Sequence, residues 1–105
     1  MTLHILFDDV RDLNGMDIII RNPDVAYEML YQLQLQGNYL YLDNDMGSKV
    51  EGHHLLSRIL EDKDLYPKKV VLVTSNSVAA ENMRQQLKTA GYQENPNRIE
   101  YDWQE

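Results

Sequence analysis

The 105-residue sequence has no cysteine, only three prolines, one phenylalanine and one tryptophan. Without cysteine there is no disulfide, no thiolate nucleophile and no cysteine-ligated zinc. Positive charge is scarce: ten lysines and arginines stand against seventeen aspartates and glutamates, for a formal net charge of −7. No bulk electrostatic binding to nucleic acid or anionic lipid is therefore expected. A nucleotide or nucleic-acid substrate stays open, because a bound cation reverses the sign locally. No run approaches the roughly 18 consecutive apolar residues of a membrane helix, and no membrane association is expected. No basic leader with an apolar core opens the sequence, so a cytoplasmic protein is the plain expectation. Repeats, low-complexity tracts and Pro/Gly/Ser-rich linkers are absent too. At 43% hydrophobic and 26% charged residues, the length fits a single domain spanning residues 1–105.

What is present is an alternation of strand and helix patterns. Leu3–Phe7 reads as a strand, and Asp17–Arg21 as a second one buried on both faces, given its continuous isoleucines. Asn22-Pro23 supplies a cap and a first-turn proline for a helix to about Gln36, with Ala26, Met29, Leu30 and Leu33 inward. Tyr27, Tyr31 and Leu35 fall off that stripe and are expected as partly covered surface. Tyr39–Asp43 is the third strand, followed by a polar loop over Met46–Gly52 and a helix carrying Leu55, Leu56, Ile59 and Leu60. Lys69–Thr74 is the fourth strand. A helix over Ser77–Ala90 turns Ala79, Met83, Leu87 and Ala90 inward, and Arg98–Tyr101 is a short fifth strand. Alternation of this kind implies right-handed crossovers in an α/β fold. The expected architecture is a three-layer flavodoxin-like parallel sheet of five strands in the order 2-1-3-4-5. Its first crossover helix is short or missing, because few residues separate Phe7 from Asp17.

Ligands of such sheets bind at the carboxyl ends of the strands, which is where the acids sit. Asp8-Asp9 closes the first strand and Asp43-Asn44-Asp45 closes the third. Two ionised carboxylates about 5 Å apart repel by roughly 3 kcal/mol at an effective dielectric of 20. Such a cluster must hold protons or bind a cation, and oxygen-only ligands favour Mg²⁺ or Mn²⁺ over zinc. Thr74-Ser75-Asn76-Ser77 brings hydroxyls, an amide and backbone N–H groups to a helix N-terminus, which favours phosphate, although Asn76 or Ser77 acting as a cap explains much of the pattern. Arg11 either neutralises the aspartate pair or clamps an oxyanion. Of His53-His54, adjacent on a helix, at most one faces the pocket as a general acid or base, and both on the surface is the plainer arrangement.

Together these elements resemble the receiver superfamily, and more closely its divergent branch, the cyclic-phosphate processing receiver domain. Asp8-Asp9-Val10-Arg11 matches its first motif, and Asp43-Asn44-Asp45-Met46-Gly47 matches its aspartate-x-aspartate-leucine-glycine motif with methionine for leucine. Gly52 matches the glycine opening the next helix, and Asn76 with Glu81-Asn82-Met83 matches the signature after strand four. Three departures stand out. Val73-Thr74 replaces histidine-serine, Ser77 and Ala79 replace proline and glycine, and no lysine ends strand five, as Lys68 and Lys69 lie at the other end of the sheet.

The resemblance implies a receiver-like fold and metal-dependent handling of phosphate esters. The expected activity is a divalent-metal-dependent phosphoesterase acting on the cyclic phosphate of RNA ends or nucleotides. Asp8, Asp9 and Asp43 are its expected metal ligands for Mg²⁺ or Mn²⁺, with Asp45 a further ligand or base. Thr74, Ser75 and Asn76 bind phosphate, Arg11 stabilises developing charge, and His53 is the candidate acid or base. The competing expectation is a non-catalytic receiver-like module binding a protein or nucleotide. A Toprim nuclease ranks last, because that fold wants a glutamate where Asp8-Asp9 stands.

Overall fold

The structure is a computed structural model that describes residues 1–47 and 49–104, so Ser48 of the polar loop lies outside the described residues. Its sheet begins with β1 (His4–Phe7), paired in parallel with β2 (Ile18–Ile20) on one side and β3 (Tyr39–Leu42) on the other. β3 pairs in parallel with β4 (Lys69–Leu72). Three helices connect these strands: α1 (Pro23–Glu28), α2 (Gly52–Ile59) and α3 (Ser77–Ala90). β5 (Tyr92–Glu94) and β6 (Glu100–Trp103) complete the order β2-β1-β3-β4-β6-β5. The α/β receiver-like arrangement and the strand order 2-1-3-4 are as the sequence implies, and no helix interrupts the β1–β2 connection. Among the described residues, no helix is long and apolar enough to cross a membrane.

The sheet departs from the expected five parallel strands at its far edge. β6 fills the fifth position but runs antiparallel to β4, and β5 adds a sixth strand outside it. The cause is local. α3 ends at Gly91 and delivers the chain straight into β5, which climbs the outer edge; a turn at Asn95–Arg98 then returns β6 beside β4.

Layering follows from crossover direction. The connections β2→β3, β3→β4 and β4→β5 advance the same way across the sheet, and right-handed crossovers then place all three helices on one face. One core results. Ile5, Phe7, Leu40, Leu42, Val70, Leu72 and Tyr101 of the sheet pack with Ala26, Leu30, Leu55, Leu56, Ile59, Met83 and Leu87 of the helices. The β1–β2 connection runs the other way and would supply the second helical layer, but it has no helix. The three layers expected are therefore two, and the opposite face carries His4, Tyr39, Tyr41 and Lys69 around Leu6 and Val71, which are buried there without a helix. Ile19, on this uncovered face of edge strand β2, is 38% exposed, so β2 is not buried on both sides.

The helix predicted to Gln36 is also shorter. Asn22 caps α1 by accepting from the Asp24 N–H at 2.8 Å, but regular helix stops at Glu28 and continues as turns. Gln34 adopts a left-handed conformation (φ 52°), rotating Leu35 into the core, where it is 1% exposed. Met29, expected inside, is 38% exposed, because Ala26, Leu30 and Leu33 alone form the buried stripe.

Leu35→Ala is accordingly expected to cost about 2–5 kcal/mol in chemical denaturation, the range for a truncated core leucine. Met29→Ala should cost about 1 kcal/mol or less. A continuous helix would reverse that ranking.

Candidate metal and phosphate site

Parallel register puts Phe7, Leu42 and Leu72 side by side, so Asp8, Asp43 and Val73 leave the sheet at one level. Asp8 is fully buried. Its Oδ1 accepts from the N–H groups of Val10 (3.0 Å) and Arg11 (2.9 Å), a tight aspartate-led turn that swings the Arg11 side chain back over the strand end. The Arg11 guanidinium then donates to Asp8 Oδ2 at 3.0 Å and to the Val73 carbonyl, tying β1 to β4. Arg21 braces the same loop from β2, donating to the Arg11 carbonyl at 2.7 Å and pairing with Asp12.

Asp8, Asp9 and Asp43 each offer a carboxylate oxygen, and the three atoms lie within 4.8 Å of one another. Burial raises the Asp43 pKa above the usual carboxylate value, and the neighbouring Asp8 raises it further, against the Thr74 hydroxyl and Arg11, which favour the ionised form. Three carboxylates and one guanidinium leave a net local charge of −2 when all are ionised. Oxygen-only donors at this spacing fit a hard divalent cation such as Mg²⁺ or Mn²⁺.

Two glycines permit the close packing around these acids. A Cβ on Gly52 would lie 1.9 Å from the Asp43 carbonyl oxygen, so only glycine lets α2 start here. Gly47, at φ +68°, passes so close to Asp9 that a Cβ would meet Oδ2 at 3.0 Å.

Beside the acids runs a second hydrogen-bonded assembly. Asn44 is 2% exposed and donates from Nδ2 to Glu51 Oε2 at 2.8 Å. A carboxylate only accepts, which fixes the amide with Oδ1 toward His53. That oxygen accepts from the His53 N–H (3.2 Å) and lies 2.8 Å from His53 Nδ1, so Nδ1 carries the proton and neutral His53 keeps its lone pair on Nε2. His53 borders a cavity of about 250 Å³ that it shares with Asn44, Glu51, Asn76 and Asn82. His54 instead uses Nδ1 to accept the Glu51 N–H at 3.0 Å and serves the start of α2.

On the third side Thr74 stands near Asp43, favouring its ionised form, and accepts the Asn76 N–H at 3.1 Å, while Asn76 caps α3 by accepting from Ala79 N–H at 3.0 Å. Ser75 is exposed at this corner.

Of the residues singled out from sequence, Asp8, Asp9, Asp43, Arg11 and Thr74 come together directly, and His53 joins through Asn44. Asp45 is exposed and lies outside the three-oxygen group, its Oδ1 taking only a 3.4 Å contact from the Asn44 amide. Lys69 opens β4 at the opposite end of the strands, paired with Glu100 at 2.9 Å. Asn44, Glu51 and Arg21 were not singled out. The spacing Glu51-x-x-His54, typical of a helix cap, was the available signal for Glu51.

The fold and this rim define a receiver-like α/β domain with an acidic pocket at its strand ends. A profile of the cyclic-phosphate processing receiver domain matches residues 3–89, and the chain belongs to that family. No curated protein and no solved structure matched the chain.

The raised Asp43 pKa carries a pH prediction for the metal-free protein. Its folded value lies above the unfolded one, so ionisation costs stability as pH rises from the unfolded value through the folded one. Asp43→Asn is expected to be more stable than the unsubstituted protein at pH 7. Melting temperatures without metal should show that advantage shrinking toward about pH 4, near the ordinary carboxylate value.

Proposed function

We propose that this protein is a divalent-metal-dependent phosphoesterase that opens the cyclic phosphate of RNA ends or nucleotides. The observation that carries this reading is the convergence of Asp8, Asp9 and Asp43 within 4.8 Å, in a chain of a cyclic-phosphate processing family. These three acids would hold Mg²⁺ or Mn²⁺. Bound there, the ion would supply a water of lowered pKa and a polarised phosphoryl oxygen.

The side chains divide the remaining work. Arg11 neutralises Asp8 and presents its other guanidinium nitrogens to charge growing on the phosphoryl oxygens. Thr74 orients Asp43, and Thr74, Ser75 and Asn76 bind the phosphate at the start of α3. In the hydrolysis, a water oxygen bonds to phosphorus, one ring P–O bond breaks, and the freed ribose oxygen takes a proton, leaving a phosphomonoester. His53 suits the proton transfer, because Asn44 and Glu51 hold its Nδ1–H and leave Nε2 to accept. Asp45, exposed beyond the cluster, is the less suited base.

A non-catalytic binding module is the second reading. It is favoured by Val73, which offers no proton-transfer group where the family carries histidine, and by the remote position of Lys69.

Two measurements separate them. At a hundredfold excess over Kd, Mg²⁺ or Mn²⁺ should stabilise the protein by about 2.7 kcal/mol, and Asp43→Asn should lose most of that stabilisation. Incubation with a 2′,3′-cyclic nucleotide and metal should then yield monoester, with His53→Ala slowed about 10²–10⁴-fold, the usual range for an acid–base group. Metal stabilisation without turnover would leave the binding module standing; absence of both would remove the metal pocket itself.

A further inference from the structure

We propose that a second anion subsite, specific to phosphate, lies on the far side of Thr74, between the start of α3 and the β5–β6 turn. It rests on the phosphoesterase reading for the identity of its ligand: a cyclic-phosphate end that carries an additional phosphodiester, as an oligonucleotide does and a mononucleotide does not.

The reversed direction of β6 creates this subsite. In a parallel sheet the strand after β4 would bring its carboxyl end to the rim. Here the antiparallel strand brings its beginning instead, and the Leu72 N–H donates to the Ile99 carbonyl at 2.8 Å. The Asn95–Arg98 turn is thereby lifted to the level of Thr74. A cavity of about 280 Å³ opens between them, bordered by Thr74, Ser77, Arg84, Asn97 and Arg98. Thr74 forms part of its wall and follows Val73, which leaves the sheet beside Asp43, so this cavity and the acidic pocket adjoin.

The turn is built firmly. Asn97 Oδ1 accepts the N–H groups of Ile99 (3.0 Å) and Glu100 (3.1 Å), and the Tyr101 hydroxyl shares its one proton between the Arg98 carbonyl at 3.0 Å and Glu94. Arg98 is held at φ +62°, a left-handed conformation that an arginine rarely adopts. An enforced backbone outlier beside a cavity is a reason to ask what the side chain does there.

Charge is balanced here, two arginines against Glu81 and Glu94, so it is the supply of unused donors that singles out the same residue. Arg84 is spent on Glu81, which also borders the cavity, and on Glu94 at 3.5 Å. Glu94 further accepts the Tyr101 hydroxyl at 2.9 Å, and its pairing with Arg98 is long, at 3.9 Å. Arg98, with a 63% exposed side chain, keeps most of its donors for a ligand. Ser77 adds a hydroxyl, and the first turn of the 14-residue α3 adds backbone N–H groups on the same side. Arg98 and Asn97 lie outside residues 3–89, so the family match does not supply this subsite.

The test uses the full chain with Arg98→Gly, which suits the left-handed turn while removing the guanidinium, and Arg98→Lys. Calorimetry in the presence of Mg²⁺ compares a dinucleotide ending in a 2′,3′-cyclic phosphate with the 2′,3′-cyclic mononucleotide. The dinucleotide should bind about tenfold tighter, the scale of one charge-assisted hydrogen bond. Arg98→Gly should erase that preference and leave mononucleotide affinity and Mg²⁺ stabilisation unchanged, and Arg98→Lys should keep part of it. Equal affinities in the unsubstituted protein, or a preference that survives Arg98→Gly, would overturn the subsite. Inorganic phosphate titrated into the metal-free protein separates this proposal from the reaction. Amide shifts at Ser77 and Arg98 that persist in Asp43→Asn support the subsite even if no cyclic phosphate is turned over. Shifts abolished by Asp43→Asn and untouched by Arg98→Gly would place the anion in the acidic pocket and sink the proposal.

Discussion

The parallel register of β1, β3 and β4 is the constraint on which the rest depends. Because Phe7, Leu42 and Leu72 lie abreast, each strand releases its next residue at one height above the core. Asp8 and Asp43 therefore approach each other at low exposure, and the fold tolerates their repulsion only through bonds made around them. Slipping one strand by a single residue would turn its apolar set away from the helices and scatter the acids. Packing and acidic pocket are thus specified by the same pairing.

Two hydrogen-bonded assemblies make the pocket tolerable without filling it. One is the Asp8–Arg11–Val73 clamp, which returns one positive charge and joins two strands that do not pair directly. The other is the Glu51–Asn44–His53 chain, which fastens the start of α2 and sets a histidine tautomer at the edge of a cavity. Gly52 connects the two, since its bare α-carbon lets α2 start against the Asp43 carbonyl. The three acids keep one carboxylate oxygen each within 4.8 Å of the others, a spacing that fits a hard cation.

Much of this was legible from sequence, and the reasons are physical. Strand ends marked by Asp8-Asp9 and Asp43 were visible because charged residues stop apolar runs abruptly, and the spacing of Ala79, Met83 and Leu87 on α3 follows one helical stripe. Leu35 was misplaced because the left-handed Gln34 breaks helical periodicity, and nothing in glutamine's identity announces that conformation. The second helical layer was expected from alternation alone, whereas the direction of each crossover decides which face a helix covers. Reversal of β6 could have been anticipated from Asn95-Pro96-Asn97, a turn-forming run immediately before the strand. Asn44 stayed hidden because its role depends on Glu51 and His53, seven and nine residues away, meeting across a loop.

The tip of the β5–β6 hairpin closes on itself through contacts between residues few positions apart, while the acidic pocket is assembled from segments scattered over more than half the chain. Structures of such different locality differ in how freely they can change. A turn whose strands pair only with each other and with one edge of β4 can exchange its tip residues without shifting the register that holds Asp8 beside Asp43. One rim is thereby built from two walls of different reach: one held by the parallel strands that span the chain, the other carried by a short hairpin whose tip is free of that register.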